Sequence, residues 1–221
     1  GSNLCLAFKR DNPDARVIAA DNLKRRGSEL NLPRLRAAGV QFEHADIRDP
    51  NDIAALGPMD LLIECSAEPS VQAGYGGTPA YLIDTNLRGT LNCLEAARTH
   101  DATFVFLSTS RVYPIDPLRA LPLETENNRL VLPSGATGTG WSGHGIAEDF
   151  PLAGHRSLYG TTKLSSEQFI EEYRAAFGLK AIINRCGVLA GPWQMGKVDQ
   201  GFMSLWAARH LYGGTLSYNG F

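Results

Sequence analysis

No apolar run in the 221-residue chain approaches the roughly 20 residues that span a bilayer as a helix, so no membrane partner is expected. Charge of one sign is also missing. The 21 Lys and Arg stand against 23 Asp and Glu, a formal net charge of -2, without long blocks of either. That excludes a polyanion-binding surface, and nucleic acid is not an expected partner. The cluster Lys24-Arg25-Arg26 reads as a solvated loop, with contact to a phosphate as its one functional alternative. Cysteine is scarce and scattered: Cys5, Cys65, Cys93 and Cys186 form no Cys-x-x-Cys pair, and the first three sit in apolar segments. They read as buried thiols of a reducing compartment, and no secretory leader is recognisable, so a cytoplasmic location is expected. The five histidines have no ligand-like spacing beside cysteines or carboxylates, which predicts no metal. Internal repeats are absent as well.

Apolar runs of strand length do recur. Val17–Ala20 ends at Asp21, Val40–Ala45 at Asp46, Leu61–Cys65 at Ser66, and Thr103–Leu107 at Ser108, while Lys180–Asn184 leads into Arg185. Short continuous runs of this kind, separated by helical patterns, predict an α/β fold with a parallel sheet covered on both faces. One helix is predicted from Thr78 as N-cap and Pro79 at the first position, with a stripe of Ile83, Leu87, Leu91 and Leu94. Gly89 inside it costs near 1 kcal/mol, which points to a close backbone approach. A second helix begins near Tyr159, carries Phe169, Ile170, Tyr173 and Phe177, and stops at Gly178.

Between them lies a Gly- and Pro-rich insert, 114–157, with no firm periodicity. Gly138-Thr139-Gly140-Trp141-Ser142-Gly143 spells the dinucleotide fingerprint G-x-G-x-x-G inside this insert. The fingerprint works by setting a pyrophosphate on a helix N-terminus after a strand. Neither strand nor helix is predicted there, so the match is discounted.

In open α/β sheets ligands sit beyond the carboxyl ends of the strands. Asp21, Asp46, Ser66-Ala67, Ser108-Thr109-Ser110 and Arg185 occupy those ends. Asp21 lies 20 residues after Gly1, the spacing at which a carboxylate takes a ribose 2′-hydroxyl, and its charge favours NAD over NADP. Tyr159 and Lys163 stand one helical turn apart, so a phenol and an ammonium share a face. A nearby cation is expected to pull the phenol below its usual value near about 10 and make it a base. A hydroxyl of Ser108-Thr109-Ser110 is placed to hold the same reacting oxygen.

Taken together, these motifs resemble the extended short-chain dehydrogenases/reductases of the NAD-dependent epimerase/dehydratase family. Gly1-Ser2-Asn3-Leu4 resembles the last glycine of its T-G-x-x-G-x-x-G and the helix that follows. Asp21-Asn22-Leu23 is similar to its ribose-binding D-N-L, and Asp46-Ile47 to its adenine-contacting D-[IL]. Asn86-Leu87-Arg88-Gly89-Thr90 resembles N-x-x-G-T, and Ser108 to Tyr113 resembles S-[ST]-x-x-V-Y. Tyr159 and Lys163 fit Y-x-x-x-K, and Arg185 to Pro192 resembles R-x-x-N-V-Y-G-P. Within the family, the long insert and the stretch Gly191 to Gly201 look most like the CDP-paratose (tyvelose) 2-epimerases. Val188 and Pro114 depart from the family's Asn and Gly.

The resemblance implies a Rossmann-like doubly wound sheet lacking its first strand. It divides the chain into an NAD-binding domain, 1–185, and the beginning of a truncated substrate lobe, 186–221. Thr109, Tyr159 and Lys163 would be catalytic. Gly1, Asp21, Asn22, Asp46, Ile47, Cys65, Ser66, Ala67, Asn86 and Lys163 would hold NAD. Arg111, Arg185, Gln194, Asp199 and Gln200 would face a nucleotide-sugar. The implied activity is epimerisation through bound NAD+ at C2 of a CDP-linked dideoxyhexose, by a homodimer paired through the helices bearing Asn86 and Tyr159. A 4,6-dehydratase is the nearest rival, but its Asp-Glu pair after the catalytic Thr is Ser110-Arg111 here. A 4-epimerase, a reductase and a non-catalytic NAD-binding or redox-sensing module are the remaining alternatives.

Overall fold

Short apolar runs rich in Ile, Leu, Val and Phe form the expected strands in the computed structural model, which describes residues 1–196 and 201–217. In chain order the elements are α1 (Ser2–Asp11), β1 (Ile18–Asp21), α2 (Leu32–Ala37), β2 (Gln41–His44), α3 (Pro50–Ala54) and β3 (Leu61–Glu64). Next come α4 (Ala80–Ile83), α5 (Gly89–Thr99), β4 (Thr103–Thr109) and α6 (Ile115–Arg119). The insert adds β5 (Glu124–Glu126), β6 (Arg129–Val131), β7 (Thr137–Gly138), β8 (Trp141–Ser142) and β9 (Gly145–Ile146). The chain continues with α7 (Leu158–Phe177), β10 (Ala181–Cys186) and α8 (Phe202–Tyr212). None of the helices is long and apolar enough to cross a membrane.

The parallel framework is in two pieces. β1 pairs with β2, and β10, β4 and β3 pair in that order. Between β1 and β3 the described residues supply no strand, so each keeps one unpaired edge. Register partners share a face of a sheet. Phe104 and Phe106 of β4 therefore stand with Leu62 and Glu64 of β3 and Ala181 and Ile183 of β10. On this face α5 and α7 pack, burying Leu94, Ala97 and Ile170 against the two phenyl rings. On the opposite face Leu61 and Ile182 are exposed among the described residues.

The first predicted helix starts one residue late. Thr78 Oγ1 accepts from Ala80 N at 3.2 Å, while Pro79 takes the cap position. Between α4 and α5 one wide turn, Asp84–Arg88, has π geometry. Gly89 follows it, and a Cβ there would lie 2.4 Å from Ile47 Cδ1, which is the close approach its position called for. Ser157 Oγ caps α7 by accepting from Gly160 N at 3.0 Å, and Gly178 ends the helix at φ +70°.

The insert is more ordered than its sequence suggests. Asn127 and Asn128, at φ +50° and +60°, turn a hairpin between β5 and β6, the conformation a two-residue primed turn needs. The glycine pattern becomes the antiparallel meander β7-β8-β9, with no helix after it, so its exclusion as a fingerprint stands. Tyr113 fastens the meander by donating from its hydroxyl to Ala147 O at 3.2 Å and packing edge-on against Phe150.

Leu94 has no exposed surface between α5 and the sheet. Leu94→Ala is expected to cost about 2–5 kcal/mol of stability. Equilibrium denaturant unfolding measures it.

Candidate active site

The carboxyl ends of β3, β4 and β10 meet the first turns of α7, and the candidate catalytic residues gather there. Thr109 closes β4, and its Oγ1 accepts from Arg111 N at 3.2 Å. Tyr159, in the first turn of α7, has its phenol near enough to the Thr109 side chain for that hydroxyl to favour the phenolate. A Cβ on Gly160 would lie 2.2 Å from Arg111 O, so the helix and the turn after β4 touch closely at this point.

Burial pushes the Tyr159 phenol up; the Thr109 hydrogen bond and the positive charge of Arg111 pull it partly back, and Cys186 adds to the rise. Lys163 is not among the groups that act on it. The expectation that Lys163 acidifies the phenol is corrected. The reason is where the ammonium goes: Lys163 is buried, with Nζ 4.3 Å from the Phe106 ring centroid. Burial pulls its proton affinity down, and Glu64 is the strongest group pushing it back.

A cavity of about 1020 Å³ opens beside the Thr109–Tyr159 pair, lined by Tyr75, Arg111, Arg156, Ser157, Arg185 and Cys186 among others. The insert contributes Ile115, Leu118, Ile146 and Glu148 to its walls. Arg111 is exposed and forms part of its wall. Arg185 also borders it, but its donors are committed. Nη2 and Nε reach Glu167 at 2.8 Å and 3.1 Å, and Nη1 reaches Glu148 O at 2.9 Å and the Tyr113 hydroxyl at 3.4 Å. Arg185 thereby ties α7, β10 and the insert together at the cavity wall. Gln194 does not reach the cavity; its Nε2 donates to Leu189 O at 3.1 Å. Asp199 and Gln200 lie outside the described residues.

Among the cofactor candidates, Gly1 caps α1, and a Cβ on it would stand 3.8 Å from Cys65 Cβ. The α1 N-terminus thus meets the half-buried run Cys65, Ser66 and Ala67 that follows β3. Asp21 is exposed, with Oδ1 accepting from Leu23 N at 2.7 Å in a turn that sets Leu23 at φ +51°. Asn22 Nδ2 donates to Asp46 Oδ2 at 3.0 Å, and Arg48 grips Asp46 at 2.6 Å and 2.9 Å. The Arg48 hydrogen bond holds the Asp46 carboxyl well below the usual carboxylate range. Ile47 spends its side chain against Gly89. Asn86 is buried: it accepts from Glu68 N at 2.7 Å and donates to Glu68 O at 3.0 Å and Thr162 Oγ1 at 3.3 Å. Those atoms fix the loop after β3. Lys24, read as solvated, places Nζ 3.2 Å from the Tyr81 ring centroid.

Three residues escaped the sequence reading. Glu64 closes an apolar run, and a carboxylate in such a run was the available signal. Glu167 lies eight residues after Tyr159, hence on the same helix face. Cys186 lines the cavity beside Tyr159, with no signal beyond its place at a strand end.

The Glu167–Arg185 pair is nearly enclosed, with 5% and 20% of the side chains exposed. Arg185→Ala leaves a buried carboxylate without its cation and is expected to cost about 3–5 kcal/mol, whereas replacing both partners by apolar residues of similar volume costs far less. Thermal unfolding of single and double variants separates the two.

The model of the NAD dependent epimerase/dehydratase family matches residues 1–220. The CDP-paratose 2-epimerase of Salmonella typhi is 29% identical over 92% of this chain and 58% of its own length. A dTDP-glucose 4,6-dehydratase of Salmonella typhimurium is 28% identical over 82% of this chain and 50% of its own length. Among solved structures, the UDP-glucose 4-epimerase of Thermotoga maritima with UDP-glucose superposes at a TM-score of 0.72 with 25% identity. It is matched by all of this chain over 62% of its own. A dTDP-glucose 4,6-dehydratase double mutant from Streptomyces venezuelae, with NAD bound, gives 0.71 and 26% over 97% and 60%. The chain spans between half and two thirds of the length of these relatives. On the match along its length, and on a parallel α/β framework with Thr109 and Tyr159 joined at its strand ends, the chain belongs to the NAD-dependent epimerase/dehydratase family.

Proposed function

We propose that these residues form the cofactor-facing part of a nucleotide-sugar epimerase that uses bound NAD+ to invert C2 of a CDP-linked dideoxyhexose. The Tyr159 phenol set against the Thr109 side chain, with their chain neighbours Ser110 and Ser157 in the wall of the large cavity, carries the reading. The likeness to the CDP-paratose 2-epimerase supports the sugar and the carbon. Ser110-Arg111 after Thr109 provides no acid pair to eliminate water, which disfavours dehydration.

The residues present fit NAD. The α1 N-terminus at Gly1 suits a phosphate. Asp21 is exposed, and one of its oxygens is unengaged among the described residues, so it suits a ribose hydroxyl and repels a 2′-phosphate. Asn22, Cys65, Ser66, Ala67 and Lys163 complete the proposed set, with Asp46 and Ile47 shaping its floor. When bound, NAD+ supplies a reversible two-electron acceptor.

The chain's own residues handle the proton. Thr109 orients a sugar hydroxyl, and Tyr159 as phenolate removes its proton. Burial raises the phenol, and Thr109 and Arg111 offset part of that rise. Inversion returns the proton to the same oxygen, so no net proton or electron leaves the site. Pairing of two copies through α5 and α7 belongs to the same proposal, supported by exposed Phe169 and Phe177 on α7.

Tyr159→Phe is expected to lower kcat by about 10²- to 10⁴-fold with CDP-paratose as substrate. Intact-mass measurement should find NAD still bound. Stoichiometric release of NADH with product would replace the epimerase reading by a dehydrogenase.

A further inference from the structure

Glu64 takes no part in the chemistry proposed for Tyr159 and Thr109, yet it is buried directly beneath their helix. It ends β3, is 2% exposed, and stands in register with Phe106 on the face that α5 and α7 cover. Thr90 of α5 donates to its Oε1 at 2.8 Å. Its Oε2 is buried and receives no hydrogen bond. Lys163 descends from α7 to the same phenyl ring, also 2% exposed. An acid and an amine are therefore buried around one ring, without a direct ion pair among the described residues. In a medium this apolar, attraction persists over distances that water would screen.

We propose that Glu64 is a positioning residue for Lys163: its carboxylate, anchored by Thr90 and open at Oε2, keeps the buried amine protonated and drawn to the Phe106 ring. The use of that cation in catalysis rests on the epimerase reading; the pairing itself does not.

The titratable groups around the pair agree. Burial pulls Lys163 down, and Glu64, then Cys65, Cys186 and Cys93, push it up. Burial pushes Glu64 up to about 7, against the pull of Lys163 and the Thr90 hydrogen bond. Cys93 of α5 responds to both charges. A carboxyl raised on folding favours the protonated folded state. Stability from this group is therefore full below the ordinary value of 4.5 and declines as pH rises toward about 7.

Carbon NMR of lysine ε-methylenes in the purified protein, with Lys163 assigned through Lys163→Arg, tests the pairing. In Glu64→Gln the neutral Lys163 amine should be about tenfold or more enriched at a given pH, since removing one nearby opposite charge has that effect. Glu64→Asp should restore the native titration at least in part. An unchanged Lys163 midpoint in Glu64→Gln overturns the proposal. Should that variant not fold, infrared titration of the Glu64 carboxyl decides: ionisation displaced to higher pH in Lys163→Met supports the pairing, and ionisation unchanged from the native chain overturns it. Neither measurement involves substrate or cofactor. Absent turnover would sink the epimerase reading and leave the Lys163 titration untouched.

Discussion

Glu167 ties four parts of the chain to one carboxylate. From α7 it accepts from Ser108 at the end of β4 and from Arg185 of β10. Arg185 in turn holds Tyr113 and the Glu148 carbonyl of the insert. Two turns earlier on α7 stands Tyr159, and the residue after Ser108 is Thr109. The distance between phenol and threonine is therefore set by a charge-assisted bond one layer beneath them. The wall of the cavity hangs from that bond too. Desolvating two charges is costly, and their mutual bonds offset the cost only in good geometry. That requirement is what fixes the relative placement of helix, sheet and insert.

The wide π turn before α5 has a comparable role on the other side of the site. It leaves the Asn86 carbonyl able to accept from both Thr90 and Ser166, while the Asn86 side chain clasps the backbone of Glu68. One irregular turn thereby joins α5, α7 and the loop after β3. Such widened turns frequently sit at functional sites. The single Thr90 proton is shared between the Asn86 carbonyl and Glu64 Oε1, so loop placement and the buried carboxyl are linked through one hydroxyl.

The parallel strands, both long helices and the spacing of Thr109, Tyr159 and Lys163 were legible in the sequence because each rests on local signals. Apolar runs, Ser157 and Gly178 as caps, and a four-residue interval act over one or two turns. Direction of a long side chain is not local. Nothing in Tyr-x-x-x-Lys states that the amine will dip toward Glu64 and the phenol toward Thr109, since both depend on neighbours from β3 and β4. Arg185 shows the same limit: a strand-end arginine reads as a ligand until its partner, 18 residues earlier on a helix, is in place. In the insert, Asn127-Asn128 did carry a turn signal, but the flanking residues are polar on both faces and gave no strand period.

The contact of Gly160 with the turn after β4 sets how closely α7 can sit. A Cβ there would lie 2.2 Å from Arg111 O, so any larger residue pushes the start of the helix, and Tyr159 with it, away from Thr109. One missing methyl thereby governs the reach of the phenol.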